Sequence, residues 1–252
     1  MDVKGLGAIV TGAASGLGEA TARKLAAQGA KVAIFDMNVE AAQKVADEIG
    51  GIAVECNVAD AASAEAAFAT AREAHGVARI VVSCAGIAPA SKIVGRNGAH
   101  DLDLFSKVIN VNLIGTFNMS RLACADMIAQ DPVNDEERGV VINTASIAFA
   151  DGQIGQAAYA ASKGGVASLT LPIAREMAPK GVRVMTVAPG IMATPMLLGM
   201  PEEVQEALNK SVPCGRMGKP EEFANLVNHI VENAYLSGEV IRMDGALRMA
   251  PK

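Results

Sequence analysis

The chain is poor in aromatics: it has no tryptophan, two tyrosines and six phenylalanines in 252 residues. Where a tyrosine does stand, its position asks for a reason. Basic excess is also missing. There are 22 Lys and Arg against 27 Asp and Glu, a net charge of −5, so no basic stripe argues for a nucleic-acid partner. No apolar run reaches the roughly 18 residues of a membrane span. The opening MDVKGLGAIVTG passes almost directly into a strand pattern. It lacks a charged leader with a cleavage site, which makes cytoplasmic the expected location. The four cysteines, Cys56, Cys84, Cys124 and Cys214, form no C-x-x-C pair. Most have apolar neighbours, so buried free thiols are expected. His75, His100 and His229 stand in no ligand spacing, and no metal site is expected.

What is present is a 51% apolar composition, enough for a sizeable core. Short apolar runs alternate with helical patterns along the whole chain. The strand candidates are GAIV near Ala8, KVAIFD ending at Asp36, GIAVECNV ending at Val58, RIVVSCAG ending at Gly86, GVVINTAS ending at Ser146, VRVMTVAPG ending at Gly190 and EVIRMDG ending at Gly245. Most are continuously apolar, as strands buried on both faces of a parallel sheet should be. Helices are expected near 17–28, 39–49, 61–75, 101–130, 156–178 and 221–233. Pro172 in the fifth predicts a kink or a local compensation. The expectation is an α/β Rossmann fold: a single domain over 1–252, with a doubly wound seven-stranded parallel sheet and helices on both faces. Three stretches stand outside the alternation: 87–100, 131–139 and 191–220. The last is a candidate substrate lid.

The first strand runs into TGAASGLG, Thr11 to Gly18. Gly12, Gly16 and Gly18 permit a tight turn and a close backbone approach to a phosphate, and Ser15 and Leu17 share the turn. The following helix N-terminus offers free N–H groups to a pyrophosphate. The second strand ends at Asp36. A carboxylate there can accept both hydroxyls of an adenosine ribose and repels a 2′-phosphate, so NAD is expected over NADP. The alternative is that Asp36 only caps the next helix. Asn57 and Val58, after the third strand, are placed for an adenine, or Asn57 is a plain turn residue.

Ser146 closes a strand, and Tyr159 precedes Lys163 by one helical turn. The ordered set, Thr11-Gly12-x-x-x-Gly16-x-Gly18, Asp36, Ser83-Cys84-Ala85-Gly86, Asn110-Val111-Asn112, Ser146, Tyr159-x-x-x-Lys163, Pro189-Gly190 and Thr194, resembles the short-chain dehydrogenase/reductase family over essentially the full length. The resemblance implies hydride transfer between NAD and a secondary alcohol or ketone. Tyr159 would be the acid/base, with its pKa lowered by the Lys163 ammonium. Ser146 would orient the substrate oxygen, and Lys163 would also reach the nicotinamide ribose. Asn112 would hold a water linking Lys163 to solvent, and Thr194 would bond the carboxamide. Cys84, Ala85, Gly86, Pro189 and Gly190 would complete the cofactor wall. Two positions depart from the family pattern: the usual Asn-Asn-Ala-Gly is Ser83-Cys84-Ala85-Gly86, and the usual Asp before Val58 is Asn57.

GQIGQAAYAASKGG, TLPIAREMAPKGVRVMTVAPG and GEVIRMDGALRMAP are most similar to the short-chain 3-hydroxyacyl-CoA dehydrogenases, also called type 10 17β-hydroxysteroid dehydrogenases. By that resemblance Gln153 and Gln156 line the substrate side, and a 3-hydroxyacyl-CoA becomes the 3-oxoacyl-CoA, a step of fatty acid metabolism. Met192, Met196, Leu197, Leu198 and Met200 would form an apolar lid or, alternatively, core or interface. Lys92, Arg96, Lys210 and Lys219 would meet CoA phosphates or be plain surface. A homotetramer built on the helices at 101–130 and 156–178 is implied. A 3-oxoacyl carrier-protein reductase, a general alcohol or steroid dehydrogenase and a non-catalytic NAD-sensing scaffold remain as alternatives.

Overall fold

The computed structural model describes residues 1–96, 98–134 and 136–251, and of Met196 only the backbone. The first half runs β1 (Gly7–Thr11), α1 (Gly16–Ala27), β2 (Lys31–Asp36), α2 (Val39–Ile49), β3 (Ile52–Glu55), α3 (Ala61–His75) and β4 (Ala78–Ser83). A small hairpin of β5 (Val94–Gly95) and β6 (Gly98–Ala99) leads to α4 (Leu102–Ile109) and α5 (Gly115–Ile128). The second half is β7 (Gly139–Thr144), α6 (Ala148–Asp151), α7 (Ala157–Met177), β8 (Val182–Pro189), α8 (Pro195–Leu198), α9 (Glu202–Ser211), α10 (Pro220–Glu232) and β9 (Val240–Met243). The seven main strands form one sheet in the order β3-β2-β1-β4-β7-β8-β9. Every pairing in it is parallel.

Alternate residues along each buried strand feed opposite faces. Val10, Ile34, Val82 and Ile142 meet Leu25, Val45, Phe223 and Ile230 from α1, α2 and α10. Ile9, Phe35, Val81 and Val141 meet Phe68, Met119, Met127 and Met177 from α3, α5 and α7. Among the few aromatics, Phe35 and Phe68 pack edge to face at 5.6 Å. The sheet order reverses between β1 and β4, and there the crevice beyond the strand ends opens.

One expectation needs correction. The helix expected over 101–130 is two α-helices separated by a π-helical turn, Asn110–Ile114. The widened turn brings the Asn112 side chain inward, where it ties two elements together (below). Pro172 does not interrupt α7. The carbonyl that loses its partner belongs to Ser168, four residues earlier, and both residues are exposed, so solvent reaches it. The 191–220 connection, the candidate lid, carries two helices, α8 and α9.

Candidate active site

The glycine turn is built for a close approach. A Cβ on Gly18 would stand 2.4 Å from the Gly12 carbonyl oxygen, and one on Gly12 would stand 2.8 Å from the Ala85 backbone. Gly12 and Gly16 have φ of +62° and +60°, a region L side chains avoid. The Ser15 side chain makes no cap bond, which leaves the first turn of α1 free to donate. Asp36 stands beside this turn. Its Oδ2 accepts from Ala14 N at 3.0 Å and its Oδ1 from Asn38 N at 2.9 Å. Each oxygen keeps a lone pair for a diol. The cap of α2 is Asn38, which accepts from Ala41 N, so Asp36 is not a mere cap. Asn57 is a turn residue: its Oδ1 accepts from Ala59 N at 3.1 Å.

A cavity of about 590 Å³ lies over these groups. Its wall includes Gly12, Ser15, Gly16, Leu17 and Gly18 on one side, with Asp36, Asn57 and Val58 at the far end. Cys84, Ala85 and Gly86 form its floor toward the sheet centre, and Thr194 its near end. Sequence reasoning missed Met37 and Lys107 here. Lys107 precedes Val111, also in the lining, by four residues. At the Ser83-Cys84 departure the Ser83 hydroxyl is buried without a hydrogen-bond partner among the described residues, while the backbone after it is held. Thr11 Oγ1 accepts from both Cys84 N and Ala85 N at 3.1 Å, and Thr144 Oγ1 approaches Cys84 Sγ at 3.6 Å.

A second cavity of about 620 Å³ adjoins the first and shares Leu17, Cys84, Gly86, Ile87 and Thr194 with it. Ser146, Tyr159 and Lys163 meet there, with Pro189 and Gly190 opposite. Tyr159 and Lys163 are one turn apart on α7, with Nζ 5.8 Å from the ring centroid. Ser146 Oγ accepts from Ala148 N at 3.2 Å and stands near enough to the Tyr159 phenol to act on its titration. Lys163 Nζ donates to the Thr144 carbonyl at 2.7 Å. Burial pulls its pKa down to about 8. Burial also pushes the Tyr159 phenol above its ordinary value, with the Ser146 hydroxyl opposing. Lys163 and the nicotinamide cation together are expected to favour the phenolate; of the chain's own groups, burial of the ring outweighs the Ser146 hydroxyl.

Asn112 is fully buried. Its Oδ1 accepts from Ile87 N at 2.8 Å, and its Nδ2 donates to Ile87 O and to Ser162 Oγ. Ser162 Oγ donates to Tyr159 O at 2.7 Å. Asn112 thus ties the segment after β4 to the helix carrying Tyr159. Asn110, its neighbour two residues back, is exposed.

Gln153 and Gln156 both line the second cavity. Gln156 Oε1 accepts from Gln153 N at 3.0 Å, and Gln153 Nε2 donates to Ala250 O at 3.0 Å. Met192 and Leu197 line it too, whereas Leu198 and Met200 are exposed. The Met196 side chain lies outside the described residues. The apolar wall instead comes from Val204, Ala207 and Leu208 on α9 and from Leu247 and Met249. Sequence reasoning missed these because α9 reads as a charged helix and the C-terminal stretch has no periodicity. Lys92, Arg96, Lys210 and Lys219 border neither cavity; Lys210 is exposed and pairs with Glu206. Cys56 and Cys124 are buried, and Cys84 is half-buried. Burial pushes their thiols up to about 12, about 11 and about 11. Cys214 is exposed, contrary to expectation. Among the described residues no three His, Cys, Asp or Glu gather as metal ligands, and no helix is long and apolar enough to cross a membrane.

A dinucleotide crevice at the switch point of a parallel sheet, joined to a Ser-Tyr-Lys constellation, defines a class of oxidoreductase. A family model described as enoyl-(acyl carrier protein) reductase matches residues 12–247, and the chain belongs to the short-chain dehydrogenase/reductase family. It is an oxidoreductase that uses a nicotinamide cofactor. Among curated relatives, it is similar to 3-hydroxyacyl-CoA dehydrogenase type-2 of Bos taurus, 49% identical over 99% of this chain and 97% of the relative. The protein of that name from Drosophila melanogaster is 48% identical over 99% of this chain and 100% of its own. A crystal structure of 3-hydroxyacyl-CoA dehydrogenase type-2 from Mycobacterium avium superposes with a TM-score of 0.93 at 42% identity, covering 98% of both chains.

Proposed function

We propose that the chain is an NAD-dependent dehydrogenase that oxidises a 3-hydroxyacyl-CoA to the 3-oxoacyl-CoA. The observation that carries this reading is the meeting of Ser146, Tyr159 and Lys163 in one cavity that adjoins the dinucleotide crevice. NAD, when bound, accepts the hydride from the alcohol carbon. Tyr159 accepts the hydroxyl proton, and Ser146 orients the substrate oxygen. With a pKa near 8, Lys163 is largely charged at neutral pH, so it favours the phenolate as it forms. One of its three donors holds Thr144 O, and two remain for a ribose diol. Asn112 positions this group through Ser162. Its main-chain oxygen accepts from Thr116 Oγ1 and keeps a lone pair for a relay water.

Asp36 supports NAD over NADP: a 2′-phosphate would face its carboxylate. The next cation along the chain, Lys44, is paired with Glu40. The apolar second cavity suits an acyl chain, and the relatives' names carry the same substrate class. Gln156 Nε2 has only a long 3.5 Å contact to Gln153 Oε1, which leaves it free for the thioester carbonyl. Residues 191–220, as part of one domain over 1–252, serve as the lid. Ile114, Phe117, Ile128 and Leu171 are exposed apolar residues that suit a homotetramer's contacts. The free cysteines fit a reducing cytoplasm.

Initial rates with 3-hydroxybutyryl-CoA and either NAD⁺ or NADP⁺ test the reading. Turnover with NAD⁺ at least tenfold above NADP⁺ is expected, given the charge opposing a 2′-phosphate. NADH binding without turnover of any 3-hydroxyacyl-CoA would sink the substrate assignment and leave the cofactor.

A further inference from the structure

The C-terminal segment 247–251 carries no catalytic group, yet it forms a wall of the substrate cavity. Leu247, Met249 and Ala250 line that cavity. Leu247 packs with Ile147, the neighbour of Ser146, and with Val212 just past α9. The segment belongs to no helix or strand, so its place depends on what ties it down. Here it is tied to the segment that follows Ser146. Gln153 Nε2 donates to Ala250 O, and Ile154 N donates to Pro251 O, both at 3.0 Å.

One guanidinium joins these two segments. Arg242, on the edge strand β9, donates from Nη2 to Asp151 Oδ2 at 2.6 Å and to Leu247 O at 3.1 Å. Its Nε donates to Asp244 Oδ2 at 2.8 Å, and its charge stands 5.9 Å from the centre of the Phe149 ring. Asp151 closes α6, between Ser146 and Gln153. Arg242 and Asp151 are largely buried, at 21% and 16% side-chain exposure, so water screens the pair little. A lysine could not make this fork: its single ammonium cannot hold two carboxylates and a carbonyl in one plane.

We propose that Arg242 is a positioning residue that clamps the 247–251 segment against the Ser146–Gln153 segment, and so sets the apolar wall that receives the substrate's acyl tail. This rests on the acyl-CoA reading above. The clamp acts on the substrate wall and leaves the dinucleotide cavity alone. Its loss therefore falls on long acyl tails more than on short ones.

The test compares wild type, Arg242→Met and Arg242→Lys with 3-hydroxybutyryl-CoA and 3-hydroxyoctanoyl-CoA. It adds NADH affinity and hydrogen exchange of peptides covering 151–156 and 245–251. For Arg242→Met, KM is expected to rise about tenfold for the long substrate and about threefold for the short one, with a smaller fall in kcat. Exchange should quicken in both peptides while the Kd for NADH holds. Arg242→Lys should recover only part of the loss. Equal losses on both substrates, or a fall in kcat at constant KM, would overturn the clamp. If Arg242→Met fails to fold, Asp151→Asn removes the charge at constant shape and carries the same test. Should wild type oxidise neither acyl-CoA, the substrate reading falls, and hydrogen exchange alone decides: unchanged protection of 245–251 overturns the clamp, and faster exchange supports it.

Discussion

The two cavities that meet at Thr194 are made of different material. The dinucleotide side is made by backbone: glycines whose missing Cβ atoms let α1 approach β1 and β4 within van der Waals limits. The substrate side is positioned by side chains: Asn112 and Ser162 link the backbone of Ile87 to the backbone of Tyr159. A backbone site tolerates no added atom. A side-chain site tolerates change in shape but depends on buried charge. Lys163 is the clearest case, since burial pulls its pKa to about 8 while the proposed chemistry needs its charge.

The largest effect that would sharpen this contrast is therefore a split one. Lys163→Met should lower turnover about 10³-fold, as loss of an acid–base supporting group does. It should also stabilise the fold at neutral pH. The folded pKa lies below the ordinary 10.5, so the unfolded chain binds its proton more tightly, and below about pH 8 the native state carries the full cost. That cost is about 3 kcal/mol, offset by about 1 kcal/mol for the orphaned Thr144 carbonyl. The gain over wild type should shrink as pH climbs from 8 toward 10.5, read from urea unfolding at several pH values. A variant less stable than wild type at pH 7 would break the comparison.

On the backbone side, Gly18→Ala should weaken NADH binding about 100-fold and cost 2 to 3 kcal/mol, on the order of an overpacked site. The control is Gly50→Ala. Gly50 has φ +66° but open space around it, so the loss should be about 1 kcal/mol with NADH affinity intact. Equal effects on affinity would show that strain, not contact, shapes the turn. The smallest effect is on pH dependence. Burial holds the Tyr159 phenol above its ordinary value. Oxidation needs it deprotonated, so kcat/KM should rise with pH through the neutral range, by at most about tenfold per pH unit, with no plateau near pH 7. Reduction should fall over the same range.

The same contrast explains what could be read from sequence. Glycine at 12, 16 and 18 is informative because backbone geometry demands it, and the seven parallel strands follow from continuous apolar runs. Helices α2 and α3 fall at 39–49 and 61–75 as their periodicity and caps require. Strand ends were less legible. Ser146 lies two residues past β7, because the ladder stops where the crevice opens. The π-turn at Asn110–Ile114 adds no residue type of its own, so a single long helix was the natural reading. The substrate wall was the least legible part. Leu247 and Met249 reach it only because Arg242 and Gln153 fold the C-terminal segment back, a contact across about ninety residues of sequence. Asn57 fits both readings open to it: its side chain serves its own turn, as local hydrogen bonding favours, and the residue lines the dinucleotide cavity.

The central claim is that Tyr159 moves the proton while other groups hold the ligands. The most direct measurement is NADH affinity and turnover of 3-hydroxybutyryl-CoA, side by side, for wild type and Tyr159→Phe. The account predicts NADH binding within about twofold of wild type and turnover lowered by about 10³-fold or more. Turnover within tenfold of wild type would contradict it, because a phenyl ring at that position has no proton to exchange.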